Sequence, residues 1–228
     1  MYRVLRYGIC PSRPWRAKGE DFLTGQITLP WSGSIFEAEN RIKKWDVSDM
    51  ELSEKRKRCN IEWKARCSDL ENVQSRAIRI GAEFRGTLQQ RDTYFTVATG
   101  RLKLRETEQE PAQLVWYKRS NESVARPSHY ILVPVDDASL LKMALEASLG
   151  IRAVVEKERK LLMYRNVRIH LDRVVNLGTF LELEAVVLTD KDRMEAHEML
   201  SDLRRSFQIE ESDLLPFSYS EMILSLSG

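Results

Sequence analysis

Three consecutive segments, Thr93–Thr99, Gly100–Glu106 and Gln113–Lys118, read as strands separated only by short polar turns. Such turns are too short for the crossover that parallel strands require, so most of the sheet must be antiparallel. Strand patterns recur at Asn60–Arg66, Ile131–Val135, Ala153–Tyr164, Val167–Val174 and Thr179–Leu188. A continuous antiparallel sheet of this size often closes into a barrel, which removes its edges. Between and after the strands lie helical patterns. Leu70–Phe84 is amphipathic, with Val73, Ala77, Ile78 and Ile80 spaced for burial. Asp136 or Asp137 caps a helix that Gly150 stops after Leu149. Asp190 or Asp192 opens another to about Phe207, and Tyr219–Leu226 closes the chain.

Each strand has one charged face, and the charges are sorted by sign. Residues two apart share a strand face. "GRLKLRE", Gly100–Glu106, therefore puts Arg101, Lys103 and Arg105 on one side and Leu102 and Leu104 on the other. In Ala153–Tyr164, Lys157 and Arg159 share a side; Arg168, His170 and Asp172 do so in Val167–Val174, and Glu182 and Glu184 in Thr179–Leu188. Asn60, Glu62, Lys64 and Arg66 oppose Ile61, Trp63 and Ala65. Charged alternation ordinarily marks a solvent face. Solvent faces, however, favour opposite charges across strands, and the helices need an apolar surface to pack on. If the helices cover the leucine faces from outside, the charged faces point into the barrel. A lumen of that kind is untenable empty and dry, because buried charges need partners, and makes sense if it is wet and holds a polyanion with a divalent metal. The pattern by itself leaves both arrangements open.

Composition does not supply the anion affinity in bulk. Lys and Arg number 36 and Asp and Glu 34, for a net charge of +2, so any anion site comes from local clustering. The three cysteines, Cys10, Cys59 and Cys67, have neither zinc nor redox-pair spacing and fit a reducing, cytoplasmic compartment. No apolar run reaches the ~20 residues of a membrane span. Residues 1–58 differ from the rest: they hold 12 Lys and Arg against 8 Asp and Glu, against 24 and 26 in the remainder, and four of the ten glycines. They read as a basic, partly disordered extension before a domain at 59–228. Met50 offers a second start, under which residues 1–49 are an over-extended reading frame. The run Lys55–Arg58 admits nucleic-acid binding, but a solvated leader is the plainer reading. There is no phosphate-binding glycine loop and no nucleophile elbow. His129, His170 and His197 show no metal spacing, and a structural role suits His170.

"NIEWKAR" (Asn60–Arg66), "QRDTYF" (Gln90–Phe95), "GRLKLRE", "LVWYKR" (Leu114–Arg119), "VVEKERKLLMY" (Val154–Tyr164), "VRIHLDRV" and "LGTFLELEA" (Leu177–Ala185) stand in the order of a CYTH domain. From Asn60 to Leu226 the chain resembles this superfamily of class IV adenylyl cyclases, thiamine triphosphatases and inorganic triphosphatases. The resemblance implies an α+β triphosphate tunnel: an eight-stranded antiparallel β-barrel with helices packed outside and a charged lumen. It implies that Lys64, Lys103, Arg105, Lys118, Lys157 and Arg159 grip phosphate oxygens, a task to which guanidinium and ammonium groups are suited. Arg101 and Arg119 rank behind them, since neighbouring turns can direct them elsewhere. Glu62, Glu182 and Glu184 would hold Mg²⁺ or Mn²⁺. Glu62 and Asp172 are the candidate catalytic acids, Asp172 near the metal where it would help activate a nucleophile. Asn60 departs from the family's first strand, which usually reads Glu-x-Glu-x-Lys; it offers a carbonyl oxygen without charge and puts a second metal ion in question.

The implied substrate is a small triphosphate: ATP, tripolyphosphate or thiamine triphosphate. "VRIHLDRVVNLGTFLELEA" most resembles the class IV cyclase branch, which converts ATP to cyclic AMP and pyrophosphate. Triphosphate hydrolysis is the alternative, and a non-catalytic polyphosphate or nucleotide binder is the second. A homodimer is compatible with the sequence; a membrane partner is not expected.

Overall fold

The computed structural model describes residues 58–108 and 110–226. The expectations for the extension, for Cys10, for the alternative start at Met50 and for Lys55–Lys57 lie outside the described residues.

Eight antiparallel strands close into one barrel. In chain order they are β1 (Arg58–Arg66), β2 (Glu83–Phe95), β3 (Arg101–Thr107), β4 (Ala112–Arg119), β5 (Arg126–Val135), β6 (Ile151–Tyr164), β7 (Val167–Val174) and β8 (Gly178–Val187). Around the barrel the order is β1-β5-β4-β3-β2-β6-β7-β8, and β8 pairs back onto β1. Among the described residues four α-helices accompany them: α1 (Leu70–Arg79), α2 (Ala138–Leu149), α3 (Asp190–Ser206) and α4 (Tyr219–Leu226). Among the described residues no helix is long and apolar enough to cross a membrane.

The apolar strand faces turn outward, under helices. Ile61, Trp63 and Ala65 of β1, Ile169 and Leu171 of β7, and Leu181 and Leu183 of β8 are buried in one cluster with Leu70, Val73 and Ala77 of α1 and Leu200 and Leu203 of α3. Trp63 also donates its indole N–H to the Leu200 carbonyl at 3.4 Å, satisfying the one polar atom of a buried aromatic. With these faces committed to the helices, strand alternation forces the charged residues into the lumen.

One end of the lumen is apolar. Ala153 and Val155 share the parity of Lys157 and Arg159 on β6, Val174 that of Asp172, and Phe180 that of Glu182. These four pack with Tyr94 against Tyr219 and Met222 of α4. Here the structure refines the expectation of helices wholly outside, because α4 contributes Tyr219 to the interior. The segment before α4 is tied across the barrel end: Leu215 N–H donates to the Lys64 carbonyl at 2.8 Å, and Arg119 donates to the Pro216 carbonyl at 3.2 Å.

Local departures have local causes. The first helix ends at Arg79 rather than Phe84, because Gly81 takes φ +94° and turns the chain into β2. Ile78 and Ile80 are consequently exposed, while Leu70, Val73 and Ala77 form the buried face. α3 is capped by Thr189, whose hydroxyl accepts from Asp192 N–H while the Asp192 carboxylate accepts from Thr189 N–H. Asp137 caps α2 and Gly150, at φ +70°, ends it, as expected.

Candidate active site

The lumen contains a cavity of about 240 Å³. β1 contributes Asn60, Glu62 and Lys64 to its wall; β3 contributes Lys103 and Arg105, and β6 Lys157 and Arg159. β7 adds Arg168, and β8 adds Glu182 and Glu184. β4 and β5 supply a less charged wall with Val115, Tyr117, Tyr130 and Leu132, and Arg119 stands at the end of β4.

Five of the six expected phosphate-binding cations are here: Lys64, Lys103, Arg105, Lys157 and Arg159. Lys118 is not. It is exposed, and the lumen position falls one residue later, to Arg119. The reason is parity: Val115, Tyr117 and Arg119 share the inner face of β4, so Lys118 must point outward. Arg119 is buried, with its Nε 3.2 Å from Glu62 Oε1.

The cations are held by carboxylates. Asp92, fully buried on β2, accepts from Lys103 Nζ at 2.9 Å, Arg105 Nε at 2.9 Å and Lys157 Nζ at 3.1 Å. Burial would raise its pKa, but Arg105, Lys103 and Lys157 hold it well below the usual carboxylate range. Burial and the repulsion of Arg105 lower Lys103 to about 7 against the pull of Asp92. Burial lowers Lys157 to about 8, with Asp92 opposing and Arg159 reinforcing the shift. Asp92 lies in "QRDTYF" but was assigned no role in the sequence, because the strand pattern there begins only at Thr93. Its signal was an acid two residues before Tyr94, on a strand flanked by cationic ones.

Asp172, the acid expected to help activate a nucleophile, is bound by Arg159 and Tyr219. It is fully buried, accepts from Arg159 Nε and a terminal Arg159 nitrogen at 2.7 and 2.6 Å, and takes the Tyr219 hydroxyl at 2.8 Å. Burial would raise its pKa, but Arg159 overrides that and leaves it below the normal range. Three donors thus hold this carboxylate against Arg159 and Tyr219. Glu62 is the opposite case. Burial, then repulsion from Glu184 and Glu182, raises its pKa to about 7 against Arg119 and Lys64.

Glu62 faces Glu184 across the β1–β8 pair, and Lys64 faces Glu182. Lys64 Nζ binds Glu182 Oε1 at 2.8 Å, and Arg159 binds Glu182 Oε2 at 2.8 Å. Asn60 Nδ2 and Arg168 both donate to Glu184 Oε2, at 3.3 and 3.0 Å, and Asn60 Oδ1 accepts from the Tyr130 hydroxyl. Asn60 thus anchors Glu184 instead of adding a charge. The tight group of metal-type donors differs from the expected Glu62, Glu182 and Glu184. Among the described residues it consists of His170, Glu182 and Glu184, whose ligand atoms lie within 4.8 Å of one another. This donor set, and the mutual repulsion that raises Glu62, fit a divalent cation.

The CYTH domain family model matches residues 58–219. The chain belongs to the CYTH family. Its barrel is similar to that of the PH1012 protein of Pyrococcus horikoshii, at TM-score 0.63 and 24% identity over 71% of this chain and 98% of that one. A Vibrio parahaemolyticus protein described as a candidate adenylate cyclase has TM-score 0.61 and 20% identity, over 72% and 97%. A Hippeastrum protein described as a candidate adenylyl cyclase with dominant triphosphatase activity has TM-score 0.51 and 14% identity, over 75% and 96%. No curated protein matches this chain. At these identities the solved structures speak for the fold alone.

Proposed function

We propose that this CYTH protein is a metal-dependent enzyme that holds a linear triphosphate in its lumen and cleaves one of its phosphoanhydride bonds. The observation that carries the reading is the convergence of Lys64, Lys103, Arg105, Arg119, Lys157 and Arg159 on one cavity that also contains Glu62, Glu182 and Glu184. Seven cations, Arg168 included, meet five carboxylates (Glu62, Asp92, Asp172, Glu182 and Glu184) in and around this cavity, and an anion of high charge density would neutralise the excess. A triphosphate supplies that charge with oxygens spaced along a chain, and arginine forks and lysine ammonium groups can each take one.

The first reading of the reaction is cyclase-like, with ATP as substrate. The ribose 3′-hydroxyl attacks the α-phosphorus, the bond from the α-phosphorus to its bridging oxygen breaks, and pyrophosphate leaves. The wall of Val115, Tyr117, Tyr130 and Leu132 supports an organic substrate over bare tripolyphosphate, since it offers apolar surface beside the charged floor. The second reading is hydrolysis, in which water attacks the terminal phosphorus. Its support is Glu62, whose pKa of about 7 suits a general base near neutrality. In both, the cations neutralise charge that moves to the leaving oxygen. A bound Mg²⁺ or Mn²⁺ at Glu182 and Glu184 would add charge neutralisation and polarise a P–O bond.

The experiment is ³¹P NMR of the purified full chain with Mg²⁺ or Mn²⁺, offered ATP and tripolyphosphate separately. Pyrophosphate with cyclic AMP from ATP establishes the cyclase reading. Orthophosphate establishes hydrolysis, and line broadening without product identifies a binder. Unchanged spectra reject the triphosphate reading altogether.

A further inference from the structure

His170 is buried, yet its Nδ1 has no hydrogen-bond partner. That atom lies 3.5 Å from Glu182 Oε2 and 3.7 Å from Glu184 Oε1. N–H···O hydrogen bonds ordinarily lie at about 2.7–3.2 Å, so both contacts are long for an imidazole facing two carboxylates. A buried nitrogen without a partner loses its hydration uncompensated, which an ion shared with the two carboxylates would restore. The two separations from the imidazole instead suit donors that share an ion, and all three ligand atoms lie within 4.8 Å of one another. At metal–ligand distances of about 2.0–2.2 Å, donors sharing an ion stand about 3–4 Å apart.

The surroundings aim these atoms at one another. His170 on β7 pairs in register with Glu182 on β8, and Glu184 follows on the same face. Asn60 and Arg168 both occupy Glu184 Oε2, which leaves Oε1 directed at the imidazole. Lys64 occupies Glu182 Oε1, which leaves Oε2 shared between Arg159 and the His170 side.

We propose that His170 is a direct metal ligand which, with Glu182 and Glu184, makes a mixed nitrogen–oxygen site that prefers Mn²⁺ and later first-row divalent ions over Mg²⁺. The inference rests on the reading of the lumen as a divalent-cation site, and adds its third ligand and its selectivity. Mg²⁺ favours all-oxygen, largely hydrated coordination. An imidazole donor shifts affinity toward transition metals in the Irving–Williams sense. The loss of a carboxylate at Asn60 acts in the same direction, because it removes the hard charge on which Mg²⁺ would depend.

The test uses the full-length protein without substrate. Mn²⁺ is bound, and pulsed electron paramagnetic resonance reads nitrogen hyperfine coupling in unlabelled protein and in protein carrying ¹⁵N-histidine. Calorimetric titrations with Mg²⁺ and Mn²⁺ compare the native chain with His170→Gln. The expected result is an imidazole nitrogen signal that changes with the isotope. Mn²⁺ should bind at least about tenfold more tightly than Mg²⁺, and His170→Gln should remove most of that preference while changing Mg²⁺ affinity little. The isotope experiment needs no variant, so a folding defect in His170→Gln cannot hide the answer. Mn²⁺ bound without histidine nitrogen coupling overturns the proposal and leaves an all-oxygen site. If neither ion binds, the cation site itself falls, and the proposal with it.

Discussion

Arg119 and Lys118 are adjacent in the chain and face opposite sides of β4. Arg119 is buried against Glu62, and Lys118 is exposed outside the barrel. Replacing Arg119 with Gln removes a buried charge-assisted contact, worth about 1.5–3 kcal/mol. Tripolyphosphate affinity measured by calorimetry should fall roughly 10–100-fold. Lys118→Gln, a surface change, should stay within about 0.5 kcal/mol. Equal losses in the two variants would return the phosphate site to the expected register. The lumen lysines give a second, signed prediction. Lys103 titrates at about 7 and Lys157 at about 8, far below free lysine. Both lose their charge as pH rises through the neutral range, so tripolyphosphate affinity should weaken between about pH 6.5 and 9. Lys103→Arg stays charged throughout, and its profile should lose the lower step. A native profile that is flat over that range would mean both lysines remain charged.

Elements with a strong alternation were legible; those held by pairing alone were not. β3, β6, β7 and β8 fall within two residues of their expected bounds, and in β3, β7 and β8 apolar residues recur at every second position. β2 begins ten residues before its expected start. Its first half, "EFRGTLQQR", has no apolar face, and its pairing with β6 creates the strand, including a register shift between Phe84 and Gly86. Asp92 was missed for this reason, and with it the anchor of three cations. Arg119 ranked behind Lys118 because the neighbouring turn could direct it elsewhere, whereas the parity of β4 carries it inward with Val115 and Tyr117. His170 read as a structural residue on the charged face of its strand, because the placement of its Nδ1 beside Glu182 and Glu184 is a property of three dimensions. The β2–β3 turn carries a prediction at this scale. Gly100 has φ +68°, and a Cβ there would lie 2.8 Å from the Tyr117 carbonyl oxygen and 2.9 Å from the Trp116 ring. Gly100→Ala should therefore cost about 1–3 kcal/mol, read as a lower urea midpoint at unchanged slope. It should also weaken triphosphate binding, since the same turn sets the register that points Lys103 and Arg105 inward. An unchanged midpoint would show that the turn can relax away from Trp116.

Across the whole molecule, the fold invests stability in a lumen that is electrostatically strained before anything binds. The outer apolar cluster under α1 and α3 supports the barrel, while Glu62, Glu182 and Glu184 repel one another inside it. The strain has a pH signature. The folded pKa of Glu62, about 7, lies above its ordinary value of 4.5. The folded state therefore binds more protons than the unfolded state between those pH values, and the contribution of Glu62 to stability falls as pH rises through that window. At pH 5 Glu62 is protonated in the fold, and Glu62→Gln should match the native chain. At pH 8 Glu62 is ionised, and the variant, free of that charge, should be more stable by up to about 3 kcal/mol, at 1.36 kcal/mol per pKa unit. Thermal unfolding of both chains in chelator at the two pH values checks this. Saturating Mn²⁺ at pH 8 should narrow the gap, because an ion beside Glu182 and Glu184 relieves the repulsion in the native chain and has less to relieve in the variant. A gap of equal size at pH 5 and pH 8 would mean that Glu62 is ionised throughout, held by Arg119 alone, and that the three carboxylates do not act as one charged cluster.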